Sequence, residues 1–229
     1  NMDLYLHPLS YETRGTTFTV AEKAEIVTDM LYYASRGIHR ANPEAIVIFP
    51  GLAPVTGFDC MADFLELVYQ NIESGEFGNG ATDTNCYFQA VAWHGYVLNE
   101  EFSVDAWIEG NHSVYQVMAD HGDEEKKVFL TEFGFSDGGS QEADIRQAGY
   151  FEQIYSRLSE MPYVDSIYPF RMIEDTNNPD PTEVYYGMFR VFEERYFGAK
   201  EKAKAICRLY GGDLSELDRY IGDHSVYGG

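Results

Sequence analysis

Cysteine is scarce in this chain, and its three cysteines form no motif. Cys60, Cys86 and Cys207 lie far apart, and no Cys-x-x-Cys pair occurs. This spacing excludes a zinc knuckle and a thioredoxin-like redox motif. Because an odd number leaves at least one thiol unpaired, we interpret the cysteines as small buried hydrophobic residues. Unpaired cysteines of this kind favour a reducing compartment.

Positive charge is also scarce. The chain has 16 Lys and Arg against 38 Asp and Glu, for a net charge of −22. Such a protein repels a phosphate backbone or an anionic bilayer, so we exclude nucleic acid and membrane surfaces as partners. No apolar run approaches the ~20 residues of a membrane-spanning helix, and Asn1–Leu4 lacks the start of an export signal. We expect a soluble protein, either cytoplasmic or secreted with a signal outside this sequence.

Two kinds of apolar pattern alternate along the chain. Apolar residues at helical spacing predict helices, and short continuous apolar runs predict strands that are buried on both faces. Helices are predicted over 20–41, 61–72, 104–119, 143–158 and 185–209, and strands over 45–49, 87–93, 128–131 and 164–170. Strands separated by helices pair in parallel through right-handed crossovers. The sequence therefore predicts the α/β class.

Residues with chemical potential follow each predicted strand: Pro50-Gly51, His94-Gly95-Tyr96, Glu132-Phe133-Gly134 and Phe170-Arg171. This placement is typical of a (β/α)8 TIM barrel, whose active site lies at the carboxyl ends of the strands. No Gly-x-Gly-x-x-Gly or Gly-Lys-Ser/Thr motif supports a doubly wound nucleotide fold instead. With four strands rather than eight, the chain is expected to supply the second half of a barrel, as a single domain over residues 1–229.

Glu132 is the sharpest candidate for catalysis, because it ends the apolar run Val128–Thr131 and is thus held on a rigid element. We expect it at the carboxyl end of a parallel strand, with His94 or Tyr96 of the neighbouring strand within hydrogen-bond reach. Two donors aimed at one carboxylate favour its ionised, nucleophilic form. The alternative is a carboxylate that forms only a surface or supporting salt bridge.

Several segments resemble clan A glycoside hydrolases in the style of families 39 and 5. Thr131-Glu132-Phe133-Gly134 resembles the seventh-strand signature that carries the nucleophile, and Trp93-His94-Gly95-Tyr96 resembles the sixth-strand His-x-Tyr. Ser166–Phe170, with Asp175 and Tyr186–Phe189, resembles the eighth strand and the segment after it. Residues 41–51 resemble the fourth helix and fifth strand. The resemblance thus begins near the fourth helix, and residues 1–19 would be a loop after the fourth strand.

The resemblance implies a retaining glycosidase that acts on a carbohydrate substrate with Glu132 as nucleophile and without a cofactor. It implies substrate-binding roles for Trp93, His94, Tyr96, Phe170, Arg171 and Asp175. The acid/base of these enzymes is the Glu of an Asn-Glu pair, but the corresponding position here reads Asn1-Met2-Asp3. Glu12 is the nearest substitute. The predicted eighth strand lacks the Trp on which these enzymes commonly stack a sugar, and Phe170 would do only part of that work.

Two other interpretations stay open. A metal site could combine His94, Glu132 and Asp175, although no His-x-His or His-Glu-x-x-His motif supports one, and we expect no metal. The chain could also be a half-barrel without hydrolytic activity that binds carbohydrate or serves in assembly. The apolar edge strands over 45–49 and 164–170 predict pairing with a second copy, as a homodimer, or with an N-terminal half-barrel.

Overall fold

The structure is a computed structural model that describes residues 18–54, 57–96, 102–192 and 195–217. Its helices are α1 (Val20–Ala41), α2 (Phe58–Ser74), α3 (Val104–Asp120), α4 (Gln141–Ser156), α5 (Pro181–Val184) and α6 (Glu201–Leu209). Its strands are β1 (Ala90–His94), β2 (Lys127–Phe133), β3 (Val164–Pro169), β4 (Phe189–Phe192) and β5 (Arg195–Ala199). Glu12 and most of the predicted N-terminal loop lie outside the described residues.

The chain divides into two compact units. Unit 1 comprises Asn1–Glu132 with Tyr163–Ile167, and unit 2 comprises Phe133–Pro162 with Tyr168–Gly229. The prediction of a single domain stays a prediction.

A three-stranded sheet in the order β1-β2-β3 confirms the α/β class. β1 pairs in parallel with β2, from Ala90 opposite Lys127 to His94 opposite Glu132. All five residues of β1 are buried, as its continuous apolar run predicts. The carboxyl ends of β1 and β2 therefore meet at the same edge of the sheet.

The prediction of a strand over 45–49 was wrong, because these residues do not form a regular strand. The segment follows β1 through isolated parallel bridges, Ile48 with Ala90 and Leu52 with Trp93. The backbone N–H of Val47 donates to the side-chain oxygen of Gln89 at 2.8 Å, so a side chain takes the place of a ladder partner. The backbone N–H of Leu52 reaches the carbonyl of Ala92 at 3.2 Å, so the segment still lies against β1.

The prediction of one helix over 185–209 was also wrong, because this range contains β4 and β5, which form an antiparallel pair. The range contains the aromatic and β-branched residues Phe189, Val191, Phe192, Tyr196 and Phe197, which suit strands better than a helix. Of the helix predicted over 185–209, only the part that forms α6 is helical.

Helix α1 begins at Val20, as the sequence predicts, because Thr19 and Glu22 form a capping box. The side chain of Thr19 accepts from the backbone N–H of Glu22 at 3.2 Å, and Glu22 accepts the backbone N–H of Thr19 at 2.7 Å. The helix ends before Asn42-Pro43, where proline disfavours helical backbone at the residue before it. Among the described helices, none is both long and apolar enough to cross a membrane.

The core of unit 1 consists of aromatic and aliphatic side chains from α2, α3 and the sheet. Those almost fully buried include Phe49, Leu52, Met61, Phe64, Tyr69, Phe88, Trp93, Trp107, Val114 and Leu130. Of the cysteines, Cys60 and Cys207 are partly exposed and Cys86 is exposed. The expectation of buried cysteines was therefore wrong.

Unit 2 encloses a cluster of charges as well as apolar side chains. The ammonium group of Lys200 lies 2.6 Å from Asp137 Oδ2 and also contacts Glu174, and Lys202 lies 3.1 Å from the same Asp137 oxygen. The side chains of both lysines and of Asp137 are fully buried. Burial raises the pKa of Asp137, but the two lysines outweigh burial and hold that pKa below its usual value. The cluster joins two loops of unit 2 to the start of α6.

Candidate active site

The position of Glu132 depends on an irregularity in the sheet. Val128 and Leu130 are fully buried on one face of β2, and strict alternation would direct Glu132 to that face too. However, the register of the two strands shifts between Trp93 and His94. Trp93 is paired with Leu130, and the next residue, His94, is paired with Glu132. Such bulges change the direction of a side chain and occur near active sites. The Glu132 side chain here remains about one-third exposed.

Two aromatic residues from the end of β1 contact the carboxylate. The Tyr96 hydroxyl donates to Glu132 Oε2 at 2.9 Å, and His94 Nδ1 lies 3.3 Å from the same oxygen. The structure thus confirms the predicted placement of Glu132 at a parallel strand's carboxyl end, with both residues within reach. This arrangement orients one carboxylate oxygen and leaves the group accessible to a substrate.

Helix α3 fixes the segment that carries these two aromatic residues. The Trp107 indole N–H donates to the carbonyl of Gly95 at 2.8 Å, and the contact is buried. Trp93, expected to bind substrate, is instead fully buried, and its indole N–H donates to Asn111 Oδ1 at 2.8 Å. Asn111 in turn donates to the carbonyl of Trp107 at 2.7 Å. These contacts hold the carboxyl end of β1 against α3.

Gly51 approaches the other side of His94. A Cβ at this position would lie 2.7 Å from His94 Nε2 and 2.9 Å from Thr131 Oγ1. Real Cβ atoms do not come so close, so a larger residue would displace the imidazole. Thr131 Oγ1 is buried, and the described residues provide it with no hydrogen-bond partner. A small polar niche therefore borders His94 beside Glu132.

Sequence reasoning missed three supporting residues: Gly51, Trp107 and Thr131. Gly51 stood after an apolar run, but its importance depends on a close approach that spacing does not reveal. Trp107 is one of only two tryptophans, but in the apolar pattern of the helix predicted over 104–119 nothing indicates its contact with Gly95. The role of Thr131 depends on the register shift, for which no sequence signal exists.

The remaining predicted site residues lie together in unit 2. Arg171 donates to the carbonyl of Glu183 at 3.0 Å and pairs with Asp175 at 3.3 Å. Its guanidinium carbon lies 5.2 Å from the centre of the Phe170 ring, and that ring contacts Tyr186 at 5.8 Å. Phe170, Arg171 and Asp175 thus form one local cluster. Their predicted role in substrate binding stays a prediction.

Metal ligation was the other chemistry considered for Glu132. Within the part of the chain that the structure describes, no three His, Cys, Asp or Glu residues group in a way that could hold a metal ion.

Comparison with known proteins places the chain in a family. A family model described as "Glycosyl hydrolase catalytic core" matches residues 41–187, well over half of the chain and including His94, Tyr96 and Glu132. No curated protein has a sequence that matches the chain.

Two solved structures show a distant likeness. A family 39 glycoside hydrolase from the gut symbiont Bacteroides cellulosilyticus WH2 has 14% identity and a TM-score of 0.45, covering 81% of this chain and 44% of that one. A Faecalibacterium prausnitzii beta-glucuronidase has 15% identity and a TM-score of 0.42, covering 82% and 35%. The chain spans less than half the length of either structure. By the match over residues 41–187, the chain belongs to the glycosyl hydrolase catalytic core family.

Proposed function

We propose that this chain cleaves O-glycosidic bonds by a retaining mechanism in which Glu132 is the nucleophile. The observation that carries the proposal is the Tyr96 hydroxyl at 2.9 Å from Glu132 Oε2. A side chain held by donors at the end of a strand keeps one orientation, which a nucleophile needs in order to attack a single carbon atom. The family match over residues 41–187 supports a glycosidic bond as the target.

In the proposed reaction, a carboxylate oxygen of Glu132 attacks the anomeric carbon while the bond from that carbon to the leaving oxygen breaks. A second carboxylic acid, ~5 to 5.5 Å away in retaining enzymes, gives the leaving oxygen its proton. Water then attacks the glycosyl-enzyme ester, loses a proton to the second carboxylate and frees Glu132. The two carboxyl groups balance every proton, and the reaction needs no cofactor. The resemblance assigns the second group to a position before Val20, outside the described residues.

The barrel architecture is part of the same proposal. β1, β2 and β3 lie in chain order in one sheet, β1 and β2 pair in parallel, and helices stand between the strands in the sequence. Continued around a circle, this order gives a (β/α)8 barrel with the catalytic groups at the carboxyl ends of the strands. Phe170, Arg171 and Asp175 follow β3 in the sequence, and the resemblance gives them a substrate-binding role in the same proposal.

A mechanism-based probe tests the role of Glu132 without the second carboxyl group. A 2-deoxy-2-fluoro glycoside with a dinitrophenolate leaving group needs no proton to depart, and its fluorine slows hydrolysis of the ester. We expect peptide mass spectrometry to find the fluorosugar on Glu132 for at least one of the gluco, galacto, xylo and glucurono probes.

The matched control is Glu132→Gln, which keeps the size and the Tyr96 contact but loses the nucleophile. It should fold like the wild type by circular dichroism and take no label. A folded wild-type chain that no probe labels would contradict the proposal. If that chain nevertheless binds one of the unmodified sugars in a calorimetric titration, the carbohydrate-binding alternative is favoured.

A further inference from the structure

A cavity lies in unit 1 between the C-terminal half of α1 and the 3₁₀ turn Thr84–Cys86. Its volume is about 490 Å³, within the usual range for small-molecule sites. Arg36, His39 and Arg40 line it from α1, and Asn85 and Cys86 line it from the turn. None of its described lining residues is acidic, although the chain has a net charge of −22. The cavity therefore brings two guanidinium groups together in an acidic chain, and the Asp83 carboxylate contacts its lining only through Asn85 among the described contacts.

Arg36 is held in place by the aromatic ring at the base of the cavity. Its Nη1 donates to the Tyr32 hydroxyl at 2.9 Å, and its guanidinium carbon lies 5.4 Å from the centre of the same ring. Tyr32 is only 7% exposed, so it gives the guanidinium a rigid support. A guanidinium has five N–H donors, and most of those on Arg36 remain available to a ligand.

His39 adds to the shape of the cavity rather than to its donors. Its Nε2 lies 2.9 Å from the carbonyl oxygen of Ala45 and its Nδ1 3.3 Å from the Ser35 hydroxyl. A carbonyl oxygen only accepts, so Nε2 carries the proton of that bond. Both ring nitrogens are thus occupied. The backbone N–H and the side-chain amide of Asn85 both donate to Asp83 Oδ1, at 2.9 and 3.0 Å, so ligand contacts fall to Arg36 and Arg40.

Arg36 and Arg40 stand four residues apart and therefore share one face of α1. Positive charge in the last turn of a helix is favoured by the helix dipole, which accounts for Arg40 but not for Arg36, a turn earlier. Two like charges at this spacing repel each other, and an anion bound between them removes that repulsion. Guanidinium groups bind phosphate through two parallel N–H···O bonds.

We propose that this cavity binds the phosphate group of a small molecule. Two guanidinium groups match a phosphate dianion better than a single carboxylate, and the volume leaves room for a remainder of the size of a sugar. The cavity shares no residue with the Glu132 site, so the proposal stands apart from the glycosidase function. Free phosphate and a phosphate ester present the same chemistry, and the experiment distinguishes them.

The exposed thiol of Cys86 makes the test possible, because it lines the cavity. The alkylation rate of Cys86 by N-ethylmaleimide, an uncharged reagent, is followed by mass spectrometry, with Cys207 as the reference thiol in the same chain. Chloride keeps the ionic strength constant. We expect millimolar glucose 6-phosphate to slow Cys86 alkylation severalfold and to leave Cys207 unchanged. Equal protection by inorganic phosphate identifies free phosphate as sufficient, and weaker protection identifies the ester as the ligand.

The variant Arg36→Gln/Arg40→Gln should weaken the apparent affinity by about tenfold or more, since two charge-assisted contacts are lost. The matched control, Arg157→Gln/Arg208→Gln, removes two arginines outside the cavity and should keep the protection. The proposal is overturned if neither phosphate compound protects Cys86, if glucose protects as well as glucose 6-phosphate, or if the cavity variant is protected like the wild type. Broadening of the phosphorus resonance of glucose 6-phosphate provides a second readout that needs no cysteine.

Discussion

His94 lies opposite Glu132 rather than opposite Thr131, because the register of β1 and β2 shifts by one residue after Trp93. The shift brings His94 Nδ1 to 3.3 Å from the Glu132 carboxylate and places Tyr96 where its hydroxyl can donate to the same oxygen. The site is therefore a product of sheet register as much as of residue identity.

Tyr96→Phe should slow the labelling of Glu132 by a fluorosugar by about tenfold to a hundredfold, because one donor to the carboxylate is lost. The rate is measured by peptide mass spectrometry at several probe concentrations, which separates binding from the covalent step. Tyr33→Phe removes a hydroxyl from a tyrosine on the exposed face of α1 and should leave the rate unchanged. Equal rates for Tyr96→Phe and wild type would refute the orienting role of Tyr96.

Gly51→Ala should reduce labelling of Glu132 at least as strongly, because its Cβ would displace the His94 imidazole. The control is Gly37→Ala in α1, where a Cβ meets nothing within 4 Å. That substitution should keep activity and raise the free energy of unfolding by as much as ~1 kcal/mol, since alanine favours a helix over glycine. If the fluorosugar labels Glu132 in Gly51→Ala as fast as in the wild type, the close approach of Gly51 to His94 does not contribute to the reaction.

Local signals predicted α1 well. Thr19 and Glu22 begin the helix, and Asn42-Pro43 follows its end, so each boundary depends on neighbouring residues alone. The hairpin of β4 and β5 was missed because its aromatic residues also suit a helical pattern. The segment beside β1 departs from a regular strand because Gln89, 42 positions further on, takes the N–H of Val47. The identity and strand-end position of Glu132 could be predicted, but the register shift, Gly51 and Trp107 depend on contacts between distant residues.

The packing of α2 against the end of α3 should depend on pH through His121. Its ring stacks on Tyr69 at 4.5 Å, and its nitrogens lie 2.6 Å from Glu73 and 3.0 Å from Glu66. Burial lowers the pKa of His121, but the hydrogen bonds to these carboxylates outweigh burial and raise that pKa above its usual value. A raised pKa in the folded state stabilises the fold below pH ~6.5 and loses this effect as pH rises through the folded pKa.

We expect His121→Gln to cost about 0.5 to 1 kcal/mol at pH 5.5, since both carboxylates are partly exposed, and less at pH 8.5. Urea unfolding at a series of pH values measures the difference from wild type. The control is His112→Gln, which removes an imidazole from an exposed position of α3. A constant difference between His121→Gln and wild type across this range would contradict the charged contact.

The buried lysine Lys202 should have the opposite pH dependence. Burial, and next the charge of Lys200, lower the pKa of Lys202 to about 8 from 10.5. Between pH 8 and 10.5, Lys202 is therefore protonated in the unfolded chain but deprotonated in the folded chain. The free energy of unfolding should rise with pH over this range. The stability of Lys202→Met should lack this rise when compared with wild type. Lys204→Met, two residues along on α6 and partly exposed, should retain it.

The carboxylate at the centre of this cluster should matter more than either lysine. Asp137→Asn leaves the two buried ammonium groups with less compensating charge and should lower the free energy of unfolding by about 3 to 5 kcal/mol. Denaturant titration measures the loss. Asp165→Asn, at an exposed position of β3, is the control and should change stability little. A loss below ~1 kcal/mol for Asp137→Asn would show that the cluster contributes little net stability.

Assembly follows from the proposed half-barrel. We expect the sheet to pair with another half-barrel, either a second copy of this chain or one that supplies the first four units. A charge of −22 per chain opposes self-association, so a homodimer should strengthen as salt screens the repulsion. Sedimentation velocity at micromolar concentration and two ionic strengths tests this. A monomer under both conditions would exclude the homodimer and leave the N-terminal half as the expected partner.

The charge cluster of unit 2 also determines where this chain can be shortened. The family match ends at residue 187, yet Lys200 and Lys202, which neutralise Asp137 and Glu174, come after it. Asp144 of α4 likewise accepts the backbone N–H groups of Glu201 and Lys202 at 2.8 and 3.2 Å. A fragment cut at residue 187 would keep every residue of the Glu132 site but would leave buried carboxylates without cations. The segment that matches the family model is thus shorter than the segment that these buried contacts require, and expression should extend through Leu209.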